Sequence, residues 1–268
     1  INPDGSLQSS LIDITNGNMN ADNETLQFVE QLKEEVSGKG NFVIGNSDVD
    51  LMIYDSEGNR IVRKQETNIG DFCADALRSF TDADIAMVNG GGIRTNIKRG
   101  EILFNDLYNV MPFGDMIATG TFYGEQLLDV LEFAVSALPA EAGTFMQVSG
   151  LRFTVDPDIP SPVMKDTETG MFSHVGEGER RVSHVEILDK QSGEYKAVEL
   201  SRQYTIATLD YLILEQGGSG ILSCVKPDSI YWGADIEVLR HYLESVLGGN
   251  IGSEYTQPQG RIIYKYFN

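Results

Sequence analysis

The chain has 268 residues and a mass of 29.5 kDa, with 41% apolar residues, 22% charged residues and a mean hydropathy of −0.19. That is enough for one large cored domain, or one domain plus an appendage. A formal charge of −20, from 40 Asp and Glu against 20 Lys and Arg, with a pI of about 4.4, disfavours a nucleic-acid polymer or an anionic membrane as partner.

A short alternating stretch at 7–14 and a polar Asn16-Gly17-Asn18 run come first. The chain opens on Ile1 without a basic-apolar leader or a long apolar span, and it reads as a processed or excised piece. Leu26, Val29, Leu32 and Val36 then recur at helical spacing between a polar capping start and Gly38. This predicts a helix over 23–37, either a spacer between two folded units or the first helix of the main domain; on the spacer reading residues 1–45 form an interdomain linker and residues 46–268 the main domain. Next come a predicted strand at 49–54, a Ser56-Glu57-Gly58-Asn59 turn, a helix at 70–80 burying Phe72, Ala76 and Leu77, and a buried strand at 85–88. The patterns continue with a strand at 115–122 and a helix at 124–138 carrying Leu127, Leu128, Leu131, Val135 and Leu138 on one stripe. The segment 156–181, rich in Pro, Gly, Asp and Ser, reads as a long, mobile surface excursion. Strands near 150–155, 183–188 and 203–208, a helix at 235–247 and a closing strand at 261–266 complete the expectation. Strands and helices mix without strict βαβ repetition, so the expected class is α+β, with layered mixed sheets and packed helices.

The residues do not assemble an obvious catalytic centre. Cys73 and Cys224 stand far apart, with no Cys or His at metal spacing, and indicate neither a zinc site nor a disulfide framework. His174, His184 and His241 fall in no metal-binding pattern and read as solvated or core residues. Gly217-Gly218-Ser219-Gly220 fails as a nucleophile elbow because position 221 is Ile, and Ser219 reads as a turn residue. Neither a P-loop nor a dinucleotide glycine pattern occurs, and Asp48/Asp50 and Asp82/Asp84 read as solvated faces. No catalytic residue and no metal ligand is assigned to this chain.

Three other features bear on ligands. Ile85-Ala86-Met87-Val88-Asn89-Gly90-Gly91-Gly92-Ile93-Arg94 runs a buried strand into three glycines and an arginine. Glycines allow close backbone approach and positive φ, and exposed amides with a guanidinium suit an oxyanion; a tight turn with a surface arginine fits the residues equally. Arg60, Arg63 and Lys64 gather positive charge, either as a focused anion site or as a solvated hairpin arm. Met111-Pro112-Phe113-Gly114 and Leu209-Asp210-Tyr211-Leu212 each place an aromatic in a loop, as a stacking pair for a planar base or as core filling.

Glu66-Thr67-Asn68-Ile69-Gly70-Asp71, Asn89-Gly90-Gly91-Gly92-Ile93-Arg94, Met111-Pro112-Phe113-Gly114 and Gly217-Gly218-Ser219-Gly220 occur in an order that resembles the C-terminal domain of the 5′-nucleotidase and UDP-sugar hydrolase family. Gly124 at a helix start and Phe145-Met146-Gln147-Val148-Ser149-Gly150 add to the resemblance, which runs from residue 46 to the end. It implies a domain that holds a nucleotide or nucleoside substrate, while a separate N-terminal metallophosphatase domain supplies two divalent metal ions and a catalytic histidine. This chain would hold no cofactor and would be inactive alone. Arg63, Asn89 and Arg94 match positions that bind phosphate or sugar, beside Gly91 and Gly92, and Phe113 and Tyr211 match the aromatics that sandwich the base. Tyr211 replaces the usual Phe. Ser219 stands where the family commonly has an Asp bonding the ribose hydroxyls, a departure that bears on ribose selectivity and on the preferred phosphoester, 2′,3′-cyclic nucleotides included. The resemblance further implies a hinge at 38–46 and a secreted, periplasmic or cell-surface location. The competing readings are a non-catalytic nucleotide-binding module or separately encoded partner subunit, and a domain with only a structural role.

Overall fold

The computed structural model describes residues 22–214 and 219–265. The 7–14 stretch, the 16–18 run and Gly217-Gly218 lie outside the described residues. The chain divides into two compact units between Asn41 and Phe42. In the first, α1 (Asn23–Gly40) starts behind Asp22, whose carboxylate accepts the Thr25 backbone N–H at 2.8 Å, an N-cap that satisfies a helix donor. Its Leu26, Phe28, Val29 and Leu32 are exposed. No helix among the described residues is long and apolar enough to cross a membrane.

The second unit is α+β. In chain order it contains β1 (Val43–Ser47), α2 (Asn68–Thr81), β2 (Ile85–Asn89), β3 (Gly100–Leu103), α3 (Phe104–Val110), β4 (Met116–Tyr123), α4 (Gly124–Val135), β5 (Met146–Ser149) and β6 (Leu151–Val155). There follow β7 (Val163–Lys165), β8 (Phe172–Val175), β9 (Val182–Leu188), β10 (Tyr195–Ala197), β11 (Gln203–Leu209), α5 (Asp210–Ile213), β12 (Lys226–Ala234), α6 (Asp235–His241), β13 (Asn250–Ile251) and β14 (Ile262–Tyr264). The central sheet has the order β12-β4-β11-β2-β5; a second is β10-β9-β6-β14 and a third β13-β1-β3. β2 and β11 run parallel and lie between antiparallel neighbours, and α2 packs on β2, β5 and β11. That two-sided burial explains the unbroken apolar run Ile85-Ala86-Met87-Val88, all 0% exposed.

Three expected elements change. Residues 49–54 make only isolated bridges, Leu51 to Ile97 and Tyr54 to Arg60. The N–H groups of Met52 and Ile53 are taken instead by the side-chain carbonyls of Asn68 at 2.9 Å and Asn96 at 2.7 Å, so no ladder can propagate. The 156–181 excursion contains the β7–β8 hairpin, held down by Phe172, which stacks on Phe133 of α4 at 5.0 Å. The helix expected over 235–247 is α6 followed by a π-helical turn, Tyr242–Val246, in which the Tyr242 hydroxyl meets that of Tyr255 at 2.9 Å.

The polar start of α2 is a buried junction. Thr67 is the N-cap, its hydroxyl accepting the Gly70 N–H at 3.1 Å while its own N–H donates to the Gln147 amide oxygen at 3.0 Å. Glu66 accepts the Ile262 N–H at 2.7 Å, and Asp71 accepts the Gln259 N–H at 2.9 Å. The Asn68 amide donates to the carbonyls of Asp50 and Tyr255, both at 2.9 Å, and its oxygen accepts the Met52 N–H at 2.9 Å. Gly70 is required here because a Cβ would overlap the Gln147 side chain. Asn68→Ala strands three backbone groups at once and is expected to cost about 2–4 kcal/mol in urea unfolding; a loss below about 0.5 kcal/mol would remove the junction from the account of stability.

Candidate functional site

β2 and β11 end side by side while β4 and β5 begin beside them, with Leu209 paired to Ile117 and Asn89 to Met146. Four loops therefore converge at the carboxyl ends of the parallel pair, where ligands bind in open α/β sheets. They enclose a cleft of about 400 Å³, a size suited to a small organic ligand. Of the residues singled out in the sequence, Asn89, Gly91, Gly92, Phe113, Tyr211 and Ser219 line it. Asp115, Gly143, Thr144 and Leu212 complete the wall and were not expected. Asp115 follows directly on Met111-Pro112-Phe113-Gly114, a proximity that marks it in retrospect; Gly143 and Thr144 carry no local signal.

Of the two readings of the glycine run, the amides fit the turn. Gly90, Gly91 and Gly92 all avoid the left-handed region, and their N–H groups donate to the carbonyls of Phe145 at 2.7 Å, Gly143 at 3.0 Å and Asn89 at 2.9 Å. The Arg94 N–H is likewise spent on Val110 at 2.8 Å. These amides form no cradle for an oxyanion. What glycine supplies is close approach: a Cβ on Gly90 would overlap the Val62 carbonyl, and one on Gly91 would stand 3.0 Å from the Gly143 oxygen. Left-handed backbone is used instead at Gly114, φ 69°, which turns the chain immediately after Phe113 and leaves that ring 61% exposed.

The two arginines hold different positions. Arg94 donates to the Gly91 carbonyl at 3.0 Å and sets its guanidinium 5.8 Å from the Phe113 ring centroid, at the cleft border. Arg63 does not line the cleft; it lies behind Gly90, with its carbonyl accepting the Ala142 N–H at 3.0 Å. Its Nε is buried with no hydrogen-bond partner among the described residues. Burial, then the charges of Arg60 and Arg94, lower its pKa, with Glu141 opposing. Arg60 itself pairs with Glu141 at 2.9 Å, so of the three cations upstream it is spent on a carboxylate. A half-buried guanidinium beside a second one gains from an anion nearby.

On the β4 and β11 side Asp115 lines the cleft, and two further carboxylates stand behind it. Asp210, at the start of α5, accepts the N–H groups of Met116 at 3.0 Å and Tyr211 at 2.8 Å. Asp235, 1% exposed, donates its N–H to the Asp115 carbonyl at 2.9 Å and accepts the Ile236 N–H at 2.6 Å. The third wall is braced by the β7–β8 hairpin, whose Phe172 N–H donates to the Ser219 carbonyl at 2.7 Å. The histidines stand apart from this cleft: His174 and His184 contact neighbouring serine hydroxyls, and His241 packs edge-on to Phe80 at 5.4 Å.

Burial, reinforced by the charges of Asp115 and Asp210, pushes the Asp235 carboxyl from 3.8 up to about 6 against the pull of the Ile236 N–H. Between those two values the folded protein keeps a proton that the unfolded chain has lost. Stability is therefore drained as pH rises through this interval and is level above it. Asp235→Asn escapes the loss, and its stability relative to wild type should improve by about 2 kcal/mol between pH 4 and pH 7. Parallel urea titrations at the two pH values check this, and a pH-independent difference would refute it.

The family profile described as 5′-nucleotidase, C-terminal domain, matches residues 43–226. The trifunctional nucleotide phosphoesterase protein YfkN of Bacillus subtilis is 31% identical over 89% of this chain and 15% of its own length. The 5′-nucleotidase of Vibrio parahaemolyticus is 28% identical over 100% of this chain and 41% of its own. Among solved structures, the 5′-nucleotidase precursor of Thermus thermophilus superimposes with a TM-score of 0.73 at 25% identity, covering 91% of this chain and 44% of that one. The chain thus spans well under half the length of these relatives. With more than half of its residues inside the matched profile, and its α+β fold shared with a 5′-nucleotidase, this chain belongs to the 5′-nucleotidase C-terminal domain family.

Proposed function

We propose that this chain is the substrate-binding part of a secreted 5′-nucleotidase-type phosphohydrolase. The base lies between Phe113 and Tyr211, Asn89, Gly91, Gly92 and Ser219 face the sugar and ester, and Arg63 and Arg94 offset the phosphate charge. The observation that carries this reading is the convergence of both loop aromatics with Asn89 in one cleft, bordered by a guanidinium. Among the described residues no group of three His, Cys, Asp or Glu side chains is placed to hold one of the paired divalent ions implied by the resemblance. They are assigned to a separate metallophosphatase domain, and this chain's part is to bind and orient. Bringing the ester to a metal-activated nucleophile in a fixed pose removes orientational entropy from the step.

Titration calorimetry of the chain with AMP and adenosine tests the reading. Phe113→Ala and Tyr211→Ala should each cost about 1–3 kcal/mol of binding for both ligands. Arg94→Ala should weaken AMP by about 1–3 kcal/mol and leave adenosine nearly unchanged. Binding that ignores both ring deletions would overturn the sandwich.

A further inference from the structure

We infer that Asp210 is a positioning residue: one carboxylate oxygen sets the separation of the Phe113 and Tyr211 rings, and through it the cleft selects planar ligands one ring thick. The inference rests on the nucleoside reading of the cleft. The rings come from loops almost a hundred positions apart in sequence, carried by the paired strands β4 and β11, and both are exposed, at 61% and 37%. Beyond that ladder, a polar tie joins the two turns. Oδ1 of Asp210 accepts the Met116 N–H at 3.0 Å from the loop that carries Phe113, and the Tyr211 N–H at 2.8 Å from its own turn. Its backbone carbonyl accepts the Leu214 N–H at 2.7 Å, which fixes the turn that presents Tyr211.

The peptide between Asp115 and Met116 is gripped from both sides, its N–H by Asp210 and its carbonyl by the Asp235 N–H at 2.9 Å. Between that fixed peptide and the Phe113 ring lies Gly114, at φ 69°, a residue with no side chain to restrain it. The ring's position relative to Tyr211 therefore depends on the anchored peptide, and the anchor on the α5 side is Asp210.

The test uses the full chain and adenosine as probe, with Asp210→Ala, Asp210→Asn and Tyr211→Ala, alone and combined. Asp210→Ala should weaken adenosine roughly tenfold or more. Asp210→Asn, which keeps the acceptor oxygen, should restore most of that affinity. In the Tyr211→Ala background the effect of Asp210→Ala should largely vanish, which a residue that merely stabilises the fold would not show. Equal loss in both backgrounds, or no loss at all, overturns the inference. Should wild type bind no adenosine, the functional reading fails on its own, and crystal structures decide the positioning. An unchanged Phe113–Tyr211 separation in Asp210→Ala refutes it, and a widened one supports it. If the alanine variant does not fold, Asp210→Glu, which displaces the oxygen by one methylene, takes its place in every arm.

Discussion

The contact on which the main unit depends is the buried polar start of α2. Glu66, Thr67, Asn68 and Asp71 are each less than a tenth exposed, and burying four such groups is costly unless they are bonded. Their bonds go almost entirely to backbone groups of remote segments: Ile262 beside β6, Gln259 and Tyr255 ahead of it, Asp50 and Met52 near β1. One helix start thus bonds strands of two sheets, β5 and β14, together with the segment that follows β1. Arg261 closes the junction, 2.8 Å from Asp75 and 3.4 Å from Asp71. Burial raises the Asp71 carboxyl above the usual carboxylate range, Arg261 pulls it back, and the charge of Glu66 pushes it up again.

The junction also reaches the cleft. Gln147 of β5 accepts from Thr67 with its oxygen and donates from its nitrogen to the carbonyls of Val62 at 2.9 Å and Gln65 at 2.7 Å. Those carbonyls bracket Arg63 in the turn behind Gly90. Gln147 pairs with Val88 across the sheet, one residue before Asn89. The same amide that completes the α2 cap therefore places Arg63 behind the glycine run at the end of β2. Residues that mark the family in sequence act here as scaffold, one step removed from any ligand.

How much of this could be read from sequence follows the range of the forces involved. The α2, β2, β4 and β11 segments were legible because periodicity records burial of the segment itself. The 49–54 segment misled because alternation reports which face is buried and says nothing about who takes the N–H groups, here Asn68 and Asn96. For the glycine run, sequence leaves an anion loop and a tight turn equally open, because the close packing against Val62 and Gly143 is invisible without the partner segments. Asp210 stood beside a flagged aromatic and drew no notice, because its acceptor role depends on Met116, brought near only by the β4–β11 pairing.

Net charge of −20 describes the chain, whereas the cleft has a direction. On the β2 side stand Arg94 and, behind the glycines, Arg63, whose pKa is lowered first by burial and then by the neighbouring charges of Arg60 and Arg94. On the β4 and β11 side stand Asp115, Asp210 and Asp235, the last pushed to about 6 by burial and by the other two. A uniformly anionic ligand would be repelled by the second wall, and a neutral aromatic alone would leave the first unsatisfied. A molecule with an anionic end and a neutral, donor-bearing planar end meets both walls with the favourable sign. The two exposed rings line the same cleft as Asp115, with Arg94 beside Phe113 at its border, so stacking surface and charges of both signs meet in one place.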